Sequence, residues 1–175
     1  MKKNKILAIM MATIIAGSLY ANSAFAADMQ NVSLQLINVN TLPSTNTING
    51  TLKITNTGSA EIYLSDLKIR YYFTRDSGNY QLNFFCDYAS INSSISPYYR
   101  SITGNVTGKF VTMSKSVESA GSYLEISFDG GAGTLAVGNK FDINFRFAKA
   151  DWSNFDQSND YSFNDADKIV VFYCN

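Results

Sequence analysis

At 175 residues the chain is long enough to build one domain with an adequate core, and leaves no room for a second. It has no histidine and two cysteines, which excludes imidazole bases, His-ligated metals, Cys-His dyads and CxxC clusters. Fourteen basic side chains balance fourteen acidic ones, so the basic face that nucleic acid demands is missing and a near-neutral surface suits an uncharged partner.

Residues 1–26 have the grammar of an export signal. Lys2, Lys3 and Lys5 precede an apolar run from Ile6 to Leu19, and Ala24-Phe25-Ala26 forms a small-residue cleavage pattern. The run is short for a bilayer span, and no later stretch approaches the length of one. Cleavage after Ala26 removes three lysines and no acid, leaving eleven basic against fourteen acidic side chains, a net charge of about −3. The expectation is a secreted, extracellular domain over residues 27–175 that does not reside in a membrane.

From Asn31 onward the pattern has period two, in segments separated by Gly, Asn, Ser and Asp clusters, which predicts an all-β sandwich. Over Leu67 to Phe73, the residues Leu67, Ile69, Tyr71 and Phe73 face the core while Lys68, Arg70 and Tyr72 face out. Over Tyr123 to Phe128, Leu124, Ile126 and Phe128 point inward, leaving Tyr123 and Glu125 exposed. Phe141, Ile143, Phe145 and Phe147 fill the core, which turns Asn144 and Arg146 outward. Turns are predicted at Asn56-Thr57-Gly58, Asp76-Ser77-Gly78, Gly130-Gly131-Ala132-Gly133 and Gly138-Asn139. No helical stripe, internal repeat or low-complexity linker interrupts the pattern. Cys86 and Cys174 either form one bridge, closing a loop worth about 4 to 5 kcal/mol in the chain-entropy model, or stay as two buried thiols.

Several runs carry a resemblance. They are Asn56-Thr57-Gly58-Ser59, Leu64-Ser65-Asp66-Leu67, Arg70-Tyr71-Tyr72-Phe73-Thr74, Phe85-Cys86-Asp87, Gly108-Lys109-Phe110-Val111 and Tyr123-Leu124-Glu125-Ile126-Ser127-Phe128. The most specific are Arg146-Phe147-Ala148-Lys149-Ala150-Asp151-Trp152-Ser153-Asn154 and Gln157-Ser158-Asn159-Asp160-Tyr161-Ser162-Phe163. Together they resemble family 3 of the carbohydrate-binding modules, the cellulose-binding domains of cellulosomal scaffoldins and cellulases.

The resemblance implies a nine-stranded jelly-roll β-sandwich, a structural calcium ion and a planar cellulose-binding strip on one sheet. By motif position the strip maps to Asp87, Tyr88, Tyr99, Arg146 and Trp152, with Asn144 as a hydrogen-bonding neighbour. The chemistry suits a sugar face, because aromatic planes pack on the C–H faces of glucose rings while polar groups meet equatorial hydroxyls. A bidentate Arg146–Asp87 pair would itself be flat. A lone Trp in a small domain usually packs in a core; here polar neighbours and an even spacing from outward-facing Arg146 argue for exposure. Tyr98 competes with Tyr99, and the family's spacing favours Tyr99. Where the crystalline-cellulose binders of this family carry His after the strip Asp, this chain has Tyr88, which keeps a plane and loses a titratable ring.

The implied calcium ligands are Thr74 and Asp76 from one loop with Asp156, Asn159 and Asp160 from another, an oxygen set suited to a hard cation. Read without the resemblance they are ordinary turn-forming residues. Arg70, Tyr72, Tyr123, Glu125 and Tyr161 resemble the family's shallow groove, a candidate for a linker peptide, or form a cross-strand ladder that stabilises the sheet. Family members usually continue past the equivalent of Tyr173-Cys174-Asn175, so the C-terminal end reads as shortened.

The implied partner is cellulose or a related β-glucan, with cellulolytic enzymes served by adsorption. A small glycoside hydrolase would need two carboxylates across a cleft; Asp87, Glu125, Asp129 and Asp151 are candidates by type, and their sheet and loop positions offer no pair. The alternative is a cell-surface or matrix module that holds another protein through the groove.

Overall fold

The computed structural model describes residues 32–76, 80–164 and 169–173. The leader, Ser77-Gly78 of one predicted turn, and Cys174 lie outside them. The strands are β1 (Val32–Asn38), β2 (Ser44–Thr45), β3 (Thr47–Asn56), β4 (Ile62–Tyr63), β5 (Leu67–Phe73), β6 (Leu82–Asn92), β7 (Tyr99–Ser101), β8 (Val106–Val117), β9 (Ala120–Phe128), β10 (Thr134–Leu135), β11 (Lys140–Lys149), β12 (Phe155–Asp156) and β13 (Ile169–Tyr173). One helical turn, α1 (Tyr161–Asn164), and short 3-10 turns complete the described chain.

Two antiparallel sheets form the jelly-roll sandwich, one in the order β1-β3-β11-β6-β7 and the other β13-β5-β9-β8. Nine strands thus make the principal sheets, and four two-residue strands pair off as β10-β4 and β12-β2. The nine match the count that the resemblance implies, and the two-residue ribbons are too short to leave a period-two signal.

The alternation does what its period demands. Leu67, Ile69, Tyr71 and Phe73 are buried, as are Leu124, Ile126 and Phe128, and Phe141, Ile143, Phe145 and Phe147. Rings from the two sheets interlock edge to face: Tyr71 of β5 meets Phe145 and Phe147 of β11, each at 5.9 Å between centroids. Phe147 also touches Phe73 at 5.2 Å, Phe110 at 5.5 Å and Phe155 at 5.6 Å, making it the hub of the core. Such edge contacts add to burial because ring edges are positive and faces negative. Beneath Phe145, Gly50 leaves the space the ring needs, since a Cβ there would lie 2.8 Å from it.

The predicted turns have identifiable locks. Asn56, wholly buried, accepts from the Gly58 amide and donates to the carbonyls of Ala60 and Leu135. Asp129 caps the Gly130–Ala132 turn by accepting from the Gly131 amide at 2.8 Å. Gly138, with φ of 76°, supplies a left-handed residue before Asn139.

Truncating the hub is expected to cost more than crowding it. Phe147→Ala should lower stability by about 3 to 5 kcal/mol and Gly50→Ala by about 1 to 3 kcal/mol, read from urea denaturation midpoints.

Candidate functional site

β11 and β6 run antiparallel, with Asn144 opposite Tyr88 and Phe145 opposite Cys86. Asp87 has no opposite number and is the extra residue of a β-bulge. The bulge breaks the alternation, so Asp87 and Tyr88, consecutive in sequence, both stand on the outer face. Cys86 turns inward against the core, where burial pushes its thiol up to about 11.

On that outer face three groups line up. Trp152 stacks on Phe85 with centroids 6.2 Å apart and planes 22° from parallel. The Arg146 guanidinium lies 4.2 Å above the same Phe85 ring, and its Nε donates to both Asp87 carboxylate oxygens at 2.9 and 3.0 Å. Farther along, Tyr88 and Tyr99 face each other at 6.5 Å and 36°. The ion pair therefore engages one nitrogen and both oxygens, a geometry different from the two-nitrogen fork. Among the described residues the Arg146 Nη atoms make no hydrogen bond.

Small polar groups brace the row. The Ser90 hydroxyl donates to the Tyr88 hydroxyl at 2.8 Å, and Thr51 donates to the Asn144 side-chain oxygen at 2.9 Å. Trp152 and Tyr99 are about half exposed, 49% and 51%, and Tyr88 37%. Tyr98 is more exposed still at 68%, yet Tyr99 is the one ranged with Tyr88.

Parity along β11 does not explain the exposure of Trp152. The strand ends at Lys149, and Trp152 sits in a turn with φ of 59°, a left-handed conformation rare for a bulky residue. Its amide donates to the Lys149 carbonyl at 3.0 Å, and Asp151 accepts from the Ser153 amide at 3.0 Å. Sequence reasoning missed Phe85 as a member of this row, although outward parity with Asp87 pointed to it.

At one end of the sandwich the loops of the predicted cation set meet. Thr74 donates its amide to Asp160 at 2.6 Å and its hydroxyl to the Asn159 carbonyl at 3.3 Å. Asp76 accepts from the Asp156 amide at 3.1 Å and faces Lys149 at 3.4 Å. A cavity opens there, lined by Ser44, Thr74, Asp76, Asp156 and Asn159 and also by the cations Arg75 and Lys149. Burial pushes the Asp160 carboxyl up to about 8, and the negative charges of Asp76 and Asp156 add to the effect. Among the described residues no three Cys, Asp or Glu side chains converge as a metal cage. A hard cation held here would therefore draw on the Thr74 hydroxyl and the Asn159 carbonyl as well as on carboxylates.

The opposite sheet gathers the predicted groove residues. Arg70 and Glu125 are paired in register, as are Tyr72 and Tyr123. Arg70 donates through Nε to Glu125 at 2.8 Å and stacks on the rings of Tyr123 at 4.4 Å and Phe172 at 4.2 Å. Lys68 reaches Glu125 at 3.4 Å, and Tyr72 packs on Tyr161 at 6.2 Å. Tyr123 and Glu125 do face outward, but their neighbours half cover them, the Glu125 side chain keeping 12% exposure. The arrangement is a cross-strand ladder whose charges satisfy one another.

A family model described as cellulose binding domain matches residues 33–173. Among curated relatives, cellulosomal-scaffolding protein A of Acetivibrio thermocellus is 50% identical over 140 residues, 80% of this chain, and a xyloglucanase of Paenibacillus sp. is 43% identical over 133 residues, 76% of it. The chain spans only 7% and 12% of the lengths of those two proteins. Of solved structures, the CBM3a-L domain from the scaffoldin cipA of Clostridium thermocellum superposes with a TM-score of 0.76 at 47% identity, covering 82% of this chain and 85% of that one.

Removing the shared carboxylate of the ladder takes one ion pair from each of two cations. Glu125→Ala should cost about 1 to 3 kcal/mol, and the Arg70→Met, Glu125→Ala double variant should cost less than the two single losses together, as a double-mutant cycle by thermal unfolding would register.

Proposed function

The chain belongs to the cellulose-binding domain family, and from that premise we propose that it adsorbs without catalysis to cellulose through the outer face of the five-stranded sheet. Domains of this family are binding modules and not catalysts. The carrying observation is the row in which an outward ion pair, Arg146–Asp87, sits between two aromatic pairs, Trp152 with Phe85 and Tyr88 with Tyr99.

The row suits a glucan chain laid flat. Phe85 and Tyr88 stand opposite Arg146 and Asn144, two residues apart on β11, so the bulge sets the two rings roughly 7 Å apart along the sheet. Ring planes offer dispersion and C–H contact to sugar faces, which costs little desolvation. The Arg146 Nη donors and the amide of Asn144 are available to the hydroxyls at the ring edges. Arg146 and Asp87 are both solvent-exposed, so their pairing adds little stability, about 0 to 1 kcal/mol; its part is to hold the guanidinium edge-on to Asp87 and flat on Phe85. The aromatic faces supply adsorption, and the polar groups fix direction.

We further propose that Ca²⁺ is held by Thr74, Asp76, Asp156, Asn159 and Asp160, where it supplies positive charge to a carboxylate set that repels itself. Asp160 is buried within the electrostatic reach of Asp76 and Asp156, and the neighbouring cavity offers the oxygens of Ser44, Thr74, Asp76, Asp156 and Asn159 beside the cations Arg75 and Lys149. The role is to pin the loop after β5 to the loop around β12. The leader grammar supports secretion, and with it service to extracellular enzymes acting on plant polysaccharide.

A pull-down on microcrystalline cellulose tests the first proposal. The wild type should bind, and Trp152→Ala should lose about 2 kcal/mol or more of binding free energy while its circular dichroism stays native. A folded wild type that stays in the supernatant would refute cellulose as ligand and turn attention to the Arg70 face. Calcium is tested by chelation: EGTA should lower the unfolding temperature, and Ca²⁺ at a hundredfold excess over its Kd should restore about 2.7 kcal/mol. An Asp160→Asn protein should show no such gain.

A further inference from the structure

Lys149 stands out among the charged residues. It closes β11 and is only 5% exposed, although lysine is the side chain most strongly drawn to water. Its Nζ donates to the Asn154 carbonyl at 2.5 Å and pairs with Asp76 at 3.4 Å. Two ring faces complete the enclosure, Tyr80 at 4.5 Å and Phe155 at 4.9 Å from the ammonium.

An apolar side chain of the same length would fill this space without the cost of desolvating a charge. What it could not do is hold Asn154. The main-chain carbonyl of Lys149 already takes the amide of Trp152, and its ammonium takes the carbonyl of Asn154. One residue thus grips the turn 150–154 at two points, on either side of its apex. Asn154 is tied a second time, its amide donating to the Ser44 hydroxyl at 3.0 Å. The turn needs such restraint because Trp152 stands at φ of 59°, which a residue with a Cβ does not choose unaided.

We propose that Lys149 is the positioning residue for Trp152: its buried ammonium clamps the turn so that the indole lies stacked on Phe85 and level with the rest of the row. The proposal rests on the reading that Trp152 faces the polysaccharide, and it extends the binding site inward to a side chain that never touches the ligand.

Trp152 is the sole tryptophan of the chain, so its fluorescence reports the clamp directly, with or without cellulose. Lys149→Met keeps the aliphatic stem and removes the donor. In the folded variant, acrylamide quenching of Trp152 should rise and its emission anisotropy fall, and adsorption to cellulose should weaken roughly tenfold, the loss of about one anchoring contact. Lys149→Arg, which retains a donor, should recover part of both. In a Trp152→Ala background the Lys149→Met change should weaken adsorption no further, which a role in general stability would not produce. Unchanged quenching and anisotropy in folded Lys149→Met would overturn the proposal even if the wild type binds cellulose tightly. A wild type that fails to adsorb would sink the cellulose reading alone, while the quenching result still decides the clamp. If Lys149→Met does not fold, Lys149→Gln, polar but too short to reach Asn154, carries the same optical test; failure of both to fold would overturn the proposal by assigning Lys149 to the core as a whole.

Discussion

Opposite Asn144 and Phe145, β6 carries one residue more than β11, and the strict period of a strand makes that one residue consequential. Without it, Asp87 and Tyr88 would face opposite sides of the sheet, the tyrosine into the core and the carboxylate alone outside. With it, Phe85, Asp87 and Tyr88 share the outer face while Cys86 and Ala89 still point inward. The neighbouring strand then supplies Arg146 and Asn144 at the matching positions. The row of rings and charges is thus a consequence of a local miscount in a ladder that is otherwise regular, and re-aiming side chains in this way is a common use of bulges.

Stability and the proposed recognition are drawn from different sides of the same sheet. The inner face of β11 contributes Phe145 and Phe147, each in contact with Tyr71 across the sandwich. The outer face contributes an exposed ion pair and rings that are about half in water. Core aromatics are worth several kcal/mol each and surface pairs a fraction of one. Substitution on the outer face can therefore alter its chemistry while the fold stays intact. The opposite sheet is built on another principle, with Glu125 neutralising both Arg70 and Lys68, so that the face is held together by its own charges.

The sequence made some of this legible and hid the rest, for physical reasons. Alternation over Leu67–Phe73 and Phe141–Phe147 told core from surface, because burial on one face of a sheet leaves a period that composition cannot imitate. The two-residue ribbons left no such trace. The outward turn of Tyr88 was legible only through resemblance, since a bulge is invisible to a rule of alternate faces. Trp152 was placed outside by its polar neighbours, by resemblance and by parity with Arg146, and only the last does not hold: parity is lost where β11 ends, and a left-handed residue sets its direction instead. Lys149 had no role in the sequence reading, because nothing in a lysine's neighbours along the chain announces that its far end will meet a carbonyl five residues on.

The row and the oxygen-rich loops are not independent sites. Asp76 accepts the amide of Asp156 and faces the ammonium of Lys149, and Lys149 holds the turn that carries Trp152. A cation that draws on Asp76 takes negative charge away from Lys149, and in the same act fixes the loop to which Lys149 is tied. The first effect loosens the clamp and the second tightens it. The ammonium keeps the Asn154 carbonyl and two ring faces whatever happens at Asp76, and its pairing with Asp76 at 3.4 Å is held by charge more than by a hydrogen bond. A hard cation held in the loops as proposed would therefore leave the grip on the tryptophan's turn in place.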